Sequence, residues 1–289
     1  MNAFTSGAAP ETRAVVLGGG GITGIAWEVG VVAGLLDEGI DLSRADAIIG
    51  TSAGAFVATY LAAKADLEER YDDLFTPDTH EIPAAMSARS MEGYGEALKQ
   101  GWGDARRIGT ALGRMAREAE TVSTEARSAV VAHRLPTREW PEGPLMITAI
   151  DAETGELHVL DKDSGIPLAT AAAASGAVPG LWPVVSERGR HWIDGGSCSP
   201  TNAILGAPYD RVIVISPAPD TMGGLPSAAD DVKEMSARSR VELLTPDART
   251  VEAIGDNVFD PSRRGPAAEA GRLQGRAAAA AVRRVWAEA

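Results

Sequence analysis

Cysteine is nearly absent from this sequence: Cys198 is the only one in 289 residues. No disulfide can close within the chain, and no zinc site can be built from cysteines. That suits a reducing compartment. Nor is there a run of about 18 apolar residues, the length a helix needs to cross a bilayer, because Gly and Pro break the longest apolar stretches. Residues Met1 to Thr12 lack the basic start and apolar centre of a secretory signal. These absences lead us to expect a soluble, cytoplasmic protein. Basic residues are in deficit, 27 Lys and Arg against 40 Asp and Glu, for a net charge of -13. Such a chain is repelled by nucleic acid and by anionic lipid, except through local basic patches. Histidine is scarce too: His80, His133, His158 and His191, with none in the last hundred or so residues.

What is present points to an α/β fold. Hydrophobic residues make up 45% of the chain, enough for a large core, which excludes global disorder. Residues Arg13 to Leu17 read as a buried strand and run into Gly18-Gly19-Gly20-Gly21. A helix follows, with Ile25, Val29, Val32, Ala33 and Leu36 on one face and Gly39 as its stop. A second strand over Asp46 to Ile49 leads into Gly50-Thr51-Ser52-Ala53-Gly54 and then an apolar helix to Lys64. Two strands joined by one helix should lie parallel with a right-handed crossover.

Further strands are predicted at Leu145 to Ile150, Glu156 to Leu160, His191 to Ile193 and Arg211 to Ile215. Helices are predicted at Asp66–Leu74, Thr121–His133, Ile166–Ser175, Val232–Leu244 and Arg272–Trp286. The last of these has Val282, Val285, Trp286 and Ala289 on its apolar face. The expected organisation is one α/β domain: a core of about 13–215, a helical insertion of about 76–134 and C-terminal helices over about 227–289. Within the insertion, Trp102, Ala105, Ile108, Leu112 and Met115 share a helical face, with Arg106, Arg107, Arg114 and Arg117 elsewhere around it. That suits either a cap over the site that touches lipid head groups or a helix docked on the sheet with its arginines in water. Six tryptophans suggest lipid contact, although Trp27 on the first helix reads as core.

Three pieces carry chemistry. The first is Gly50-Thr51-Ser52-Ala53-Gly54, a G-x-S-x-G between strand and helix. In that context it reads as a nucleophile elbow, or else as a plain turn with Ser52 capping the next helix. The second is the glycine loop over residues 18–24. It ends at a helix N-terminus, so the N–H groups of Gly19, Gly20 and Gly21, with that of Ala53, are candidates to hold an oxyanion. The third is Asp194-Gly195-Gly196 at the end of a short strand. A Ser–acid–His order requires a late histidine, and none follows Asp194, so Asp194 is the candidate to act on Ser52 directly. The plain alternative is a turn aspartate before glycines. His191, three residues back along a strand, faces the other side. Cys198 reads as an inert small side chain.

These motifs, in this order, resemble the patatin-like phospholipase family, which pairs a glycine-rich oxyanion loop with a G-x-S-x-G elbow and a later D-G-G or D-G-A. The matching positions are Gly19 to Gly24, Gly50 to Gly54 and Asp194 to Gly196, with Ala174 to Pro179 like the stretch before the family's aspartate. The resemblance covers about residues 13–215. It implies a three-layer α/β/α fold with a mainly parallel sheet, a Ser52–Asp194 dyad, hydrolysis of lipid acyl esters, and no metal or cofactor. It further implies a lipid or acyl ester substrate reached through transient membrane-surface contact, with no nucleic acid and no indication of oligomeric state. The chain departs from the family at Thr23, where Lys or Arg is usual. Other readings remain open at this point: an acyltransferase on the same dyad, a silent lipid-binding or regulatory protein, and a nucleotide-binding protein. The last rests on Gly19-x-Gly21-x-x-Gly24, but the acidic residue its second strand should carry is missing.

Overall fold

A computed structural model describes residues 11–287. Among them the order is β1 (Arg13–Leu17), α1 (Gly21–Asp37), β2 (Ala47–Gly50), α2 (Ala53–Ala62), α3 (Leu67–Asp72), α4 (Ala88–Gln100), α5 (Ala105–Glu118), α6 (Thr124–Arg134), β3 (Leu145–Asp151), β4 (Leu157–Leu160), α7 (Leu168–Ser175), β5 (Val185–Glu187), β6 (Arg190–Asp194), β7 (Arg211–Ile215), α8 (Ala228–Met235), β8 (Arg240–Leu244), α9 (Ala248–Ile254) and α10 (Arg264–Trp286).

The strands form one sheet in the order β5-β6-β3-β2-β1-β7-β8, with β4 on β3. β1 is flanked on both edges by parallel strands, β2 and β7, and is buried from Ala14 onward. Hence its unbroken apolar run, where a half-exposed strand would alternate. Its side chains divide by period two. Val15 and Leu17 join a core with Trp27, Phe56, Leu61 and Val282, whereas Ala14 and Val16 pack with Ala203 and Met235. Ile150 and Ile193 pack on Ile108 and Leu112 of α5 in a third cluster. Helices therefore cover both faces, and the fold is three-layered α/β/α, with β1, β2, β3, β7 and β8 parallel.

The sheet changes character at β3, and this places the site. Ile147 pairs with Gly50 of β2 on one edge and Leu160 of β4 on the other. Ala149 pairs with His158 of β4 and with Asp194 of β6. So β2 and β6 share one edge of β3: where β2 stops, antiparallel β6 takes over. The strand ends at Gly50 and Asp194 are thereby set almost against each other.

Several local expectations need correction. Val232–Leu244 is not one helix: α8 stops at Met235, and Arg240–Leu244 is β8, parallel to β7. A short apolar run does not by itself distinguish strand from helix, and the open edge of β7 supplies the partners. α10 begins at Arg264, well before Arg272. Pro266 falls in its first turn, where no intrahelical N–H bond is needed. Trp102 precedes α5, is 71% exposed and lies over Gly224, and Ala105 is exposed as well. The buried stripe of α5 is Ile108, Leu112 and Ala116, docked on the sheet, while Arg106 pairs with Glu156 (2.7 Å). Val282, Val285 and Trp286 are buried; Ala289 lies outside the described residues.

α10 packs along α1 closely enough that glycines are required on both. A Cβ on Gly30 or Gly34 would overlap the carbonyls of Ala268 or Arg272, and one on Gly271 or Gly275 those of Trp27 or Val31. Arg272 ties the pair to α3 through Asp37 (2.7 Å) and Glu68. This positions the N-terminus of α1 beside Ser52. No helix among the described residues is long and apolar enough to cross a membrane.

Candidate active site

Ser52 stands between β2 and α2 with φ 53° and ψ −112°, a conformation that costs a non-glycine residue of order 1–3 kcal/mol. The turn is held from three sides. Thr51 N–H donates to Leu17 O (2.9 Å), Gly54 N–H to Gly18 O (2.9 Å), and Ser52 N–H to Ser175 Oγ (2.8 Å). Gly54 lies so close to β1 that a Cβ would overlap the Leu17 carbonyl, and a Cβ on Gly50 would meet Ala55 Cα at 2.6 Å. Ser52 occupies the N-cap position of α2, yet its side chain does not cap. Its hydroxyl donates to Asp194 Oδ2 at 2.7 Å instead.

Asp194 ends β6 and is 4% exposed. Gly196 N–H donates to its Oδ1 (2.6 Å). Burial pushes its carboxyl up to about 6, against the opposing pull of the Ser52 hydroxyl, the Gly196 N–H and the Arg127 charge. Gly195 presses on Thr148, where a Cβ would meet the carbonyl oxygen at 2.5 Å. Thr148 Oγ1 donates to Thr51 Oγ1 (2.9 Å), and Asn202 Nδ2 donates to Thr51 Oγ1 (3.1 Å) and Gly195 O (3.0 Å). This buried network clamps the residue before Ser52 to the residue after Asp194. Histidine stands apart from it: His191 Nδ1 pairs with Ser186 Oγ (2.9 Å), and His158 lies edge-on to Trp192.

The glycine loop sits next to Ser52. Among the described residues, no acceptor takes the N–H of Gly20, Gly21 or Ala53, at the starts of α1 and α2 where helices leave donors unpaired. Gly19 differs from expectation. Its N–H is spent on Pro200 O (2.7 Å), so it shapes the loop and has no donor to spare. Gly24 N–H returns to Gly20 O (2.9 Å). Thr23, at the position where a basic residue was anticipated, is buried, and its N–H donates to Val258 O (3.1 Å). The segment before α10 is thereby pinned over the loop.

Two recesses meet at Ser52. One, of about 320 Å³, is mainly apolar, with Tyr94, Leu98, Val178, Met222, Val258 and Phe259 in its wall. Cys198 lines it too; burial pushes its thiol up to about 11, and Sγ donates to Ala105 O (3.2 Å). The other is narrow, about 20 Å³, with Ile22, Ile25, Phe56 and Trp182 beside the charged Glu81, Arg127 and Arg134 around Ser52. Sequence reasoning missed Ser175, Asn202 and Arg127. The first two are small polar residues in loops or small-residue runs, and Arg127 reads as one more surface arginine on an amphipathic helix. Away from the site, Asp78, His80 and His133 bring ligand atoms within 4.8 Å of one another. The Asp78 charge is already answered by Arg264 at 3.3 Å, and we assign no metal there.

A serine donating to a buried carboxylate thus stands between a mainly parallel sheet and a glycine loop with unpaired N–H groups, on an α/β fold. A family model described as patatin-like phospholipase matches residues 15–205. The chain belongs to that family of lipid hydrolases. No curated protein matches it. Two similar solved structures are VipD from Legionella pneumophila and the type III effector protein ExoU. VipD has 16% identity and a TM-score of 0.48, the match covering 95% of this chain and 68% of that one. ExoU has 18% identity and a TM-score of 0.43, with 97% and 55% covered.

Proposed function

We propose that the protein is a serine-dependent lipid acyl hydrolase of phospholipase A or esterase type, with Ser52 as nucleophile and Asp194 as its base. The observation that carries this is the 2.7 Å bond from Ser52 Oγ to a buried Asp194 beside unpaired N–H groups. Oγ attacks the acyl carbonyl carbon as its proton passes to Asp194. A carboxyl at about 6 is mostly ionised at neutral pH and is a better base than a free aspartate. The carbonyl oxygen becomes an oxyanion, received by the N–H groups of Gly20, Gly21 and Ala53; one such donor is worth roughly 2.7–4 kcal/mol elsewhere. Collapse breaks the ester C–O bond, and the leaving alcohol takes the proton from Asp194. Water then attacks the acyl-serine, giving a proton to Asp194; the acyl C–Oγ bond breaks, Oγ takes that proton back from Asp194, and a fatty acid leaves. The apolar recess holds the acyl chain.

The test is labelling with a fluorophosphonate, together with fatty-acid release across phospholipids, lysophospholipids and short p-nitrophenyl esters. We expect covalent labelling and release in the native protein, and neither in Ser52→Ala. Undiminished labelling of Ser52→Ala would place the nucleophile elsewhere.

A further inference from the structure

Arg127 lies on α6, far in sequence from every motif above. It is 6% exposed, and its guanidinium has no hydrogen bond or ion pair among the described residues; Nε in particular is buried without a partner. Its Cζ lies over the Trp182 ring, 4.2 Å from the ring centre, and its Nη2 reaches toward Gly176, next to the Ser175 that holds Ser52. The anions around it are engaged elsewhere. Glu81 is bound by Arg134 through two bonds (2.8 and 2.5 Å), and Asp194 by Ser52 and Gly196. An unpaired guanidinium kept from water is costly, and it stays charged at neutral pH.

We propose that Arg127 forms an anion subsite in the Ser52 cleft, pairing with an oxyanion group, phosphodiester or carboxylate, on the alcohol side of the ester. This rests on the reading of the cleft as an acyl-ester site and goes beyond it by naming which esters are preferred. Arg127 lines the narrow recess of about 20 Å³, which has room for a small oxyanion group and not for an acyl chain; the acyl wall is in the wide apolar recess, with Ser52 where the two meet. An amphiphile with its charge one short arm from the scissile bond spans both. Guanidinium presents a planar fork that matches two oxygens of phosphate or carboxylate, and the Trp182 ring beneath it favours the charged form. The subsite supplies the local positive charge that a chain of net charge -13 needs to accept an anion.

The test measures binding to Ser52→Ala protein, so that it does not depend on turnover. Ligands are dodecylphosphocholine below its micelle concentration, sodium decanoate, dodecyl glucoside as the neutral control, and inorganic phosphate alone. We expect at least one of the two amphiphiles that carry an oxyanion group, the zwitterionic phosphocholine or the anionic decanoate, to bind tenfold or more tighter than the glucoside, and Arg127→Gln, in the same background, to erase that preference. Arg127→Gln should be no less thermostable than its parent, since it loses an unpaired buried charge. A preserved preference in Arg127→Gln overturns the proposal. So does equal loss of all ligands with a lower Tm, which would mark a structural role. Inorganic phosphate binding as tightly as the amphiphiles would overturn it in favour of a free-phosphate site. In the Ser52 protein, Arg127→Gln should lower the ratio of anionic to neutral ester hydrolysis at least tenfold. An equal fall for both, with the pH midpoint moved, would mean that Arg127 acts through Asp194 and overturns the subsite. If the native protein hydrolyses no ester at all, the acyl-hydrolase reading fails, while the binding result still decides the subsite.

Discussion

At Asp194 stability and activity oppose each other. Its folded carboxyl sits at about 6, above the ordinary 3.8, so the fold favours the protonated form. The stabilising contribution of that proton is fully present below about pH 4 and is lost as pH rises through 6; at higher pH the buried charge costs up to about 3 kcal/mol. The base, by contrast, needs the charge. Hydrolysis should therefore rise with pH through a single step near 6. Asp194→Asn should reduce it to background while gaining stability at about pH 8, a gain that shrinks toward about pH 4. Denaturant unfolding at the two pH values measures this; equal stability differences at both would contradict the assignment of the charge. His158→Gln and His191→Gln should each keep most activity, since neither ring contacts Ser52 or Asp194. Loss in His191→Gln as severe as in Asp194→Asn would make this a triad enzyme. Glu28 shows the same physics: fully buried on α1, its carboxyl is raised well above its usual range by burial.

Among the elements, α10 packs closely along α1, the helix whose start carries unpaired N–H groups next to Ser52. Gly34→Ala places a methyl on the Arg272 carbonyl, backbone that cannot turn aside, and should destabilise by roughly 1–3 kcal/mol or more. Gly95, within α4, has no atom within 4 Å of an added Cβ. Gly95→Ala should instead stabilise by about 0.5–1 kcal/mol, from helix propensity alone. Thermal melts of the two variants side by side decide between close packing and a tolerant surface. The same logic explains α5: its stripe was read correctly at Ile108 and Leu112, but Trp102, assigned to that face, falls outside the helix.

On the scale of the whole molecule, net charge dominates encounter with a lipid surface. At -13 the protein is repelled by anionic bilayers, and the repulsion is screened over about 10 Å at 0.1 M salt. Hydrolysis of vesicles rich in anionic lipid should thus rise with added salt at low ionic strength, whereas hydrolysis of zwitterionic vesicles should change little. Rates falling with salt on anionic vesicles would point to attraction through a basic patch. Of the four arginines of α5, Arg106 pairs with Glu156 and Arg107 with Asp104, and Arg117 donates to Ala152 O, which leaves Arg114 to the solvent.

The amino-acid sequence alone determined the features whose requirements are local. A glycine loop after a buried strand, a G-x-S-x-G turn, a D-G-G after a short strand and the absence of any later histidine each carry their own steric or chemical signature. From them the parallel α/β layers and the pairing of Ser52 with Asp194 were legible. Only the tertiary structure decided the rest, because it depends on partners distant in the chain. Arg240–Leu244 is a strand because β7 offers it an edge. Gly19 is excluded as a donor because Pro200 takes its N–H, and Thr23 finds Val258 where a basic side chain was anticipated. Arg127 differs from the other arginines of α4 to α6 in what folding places around it: an aromatic ring, a serine cleft, and anions (Glu81 and Asp194) already bound by other groups. Periodicity reports which face of an element is buried; whether a buried donor or charge has a partner is settled when the chain closes on itself.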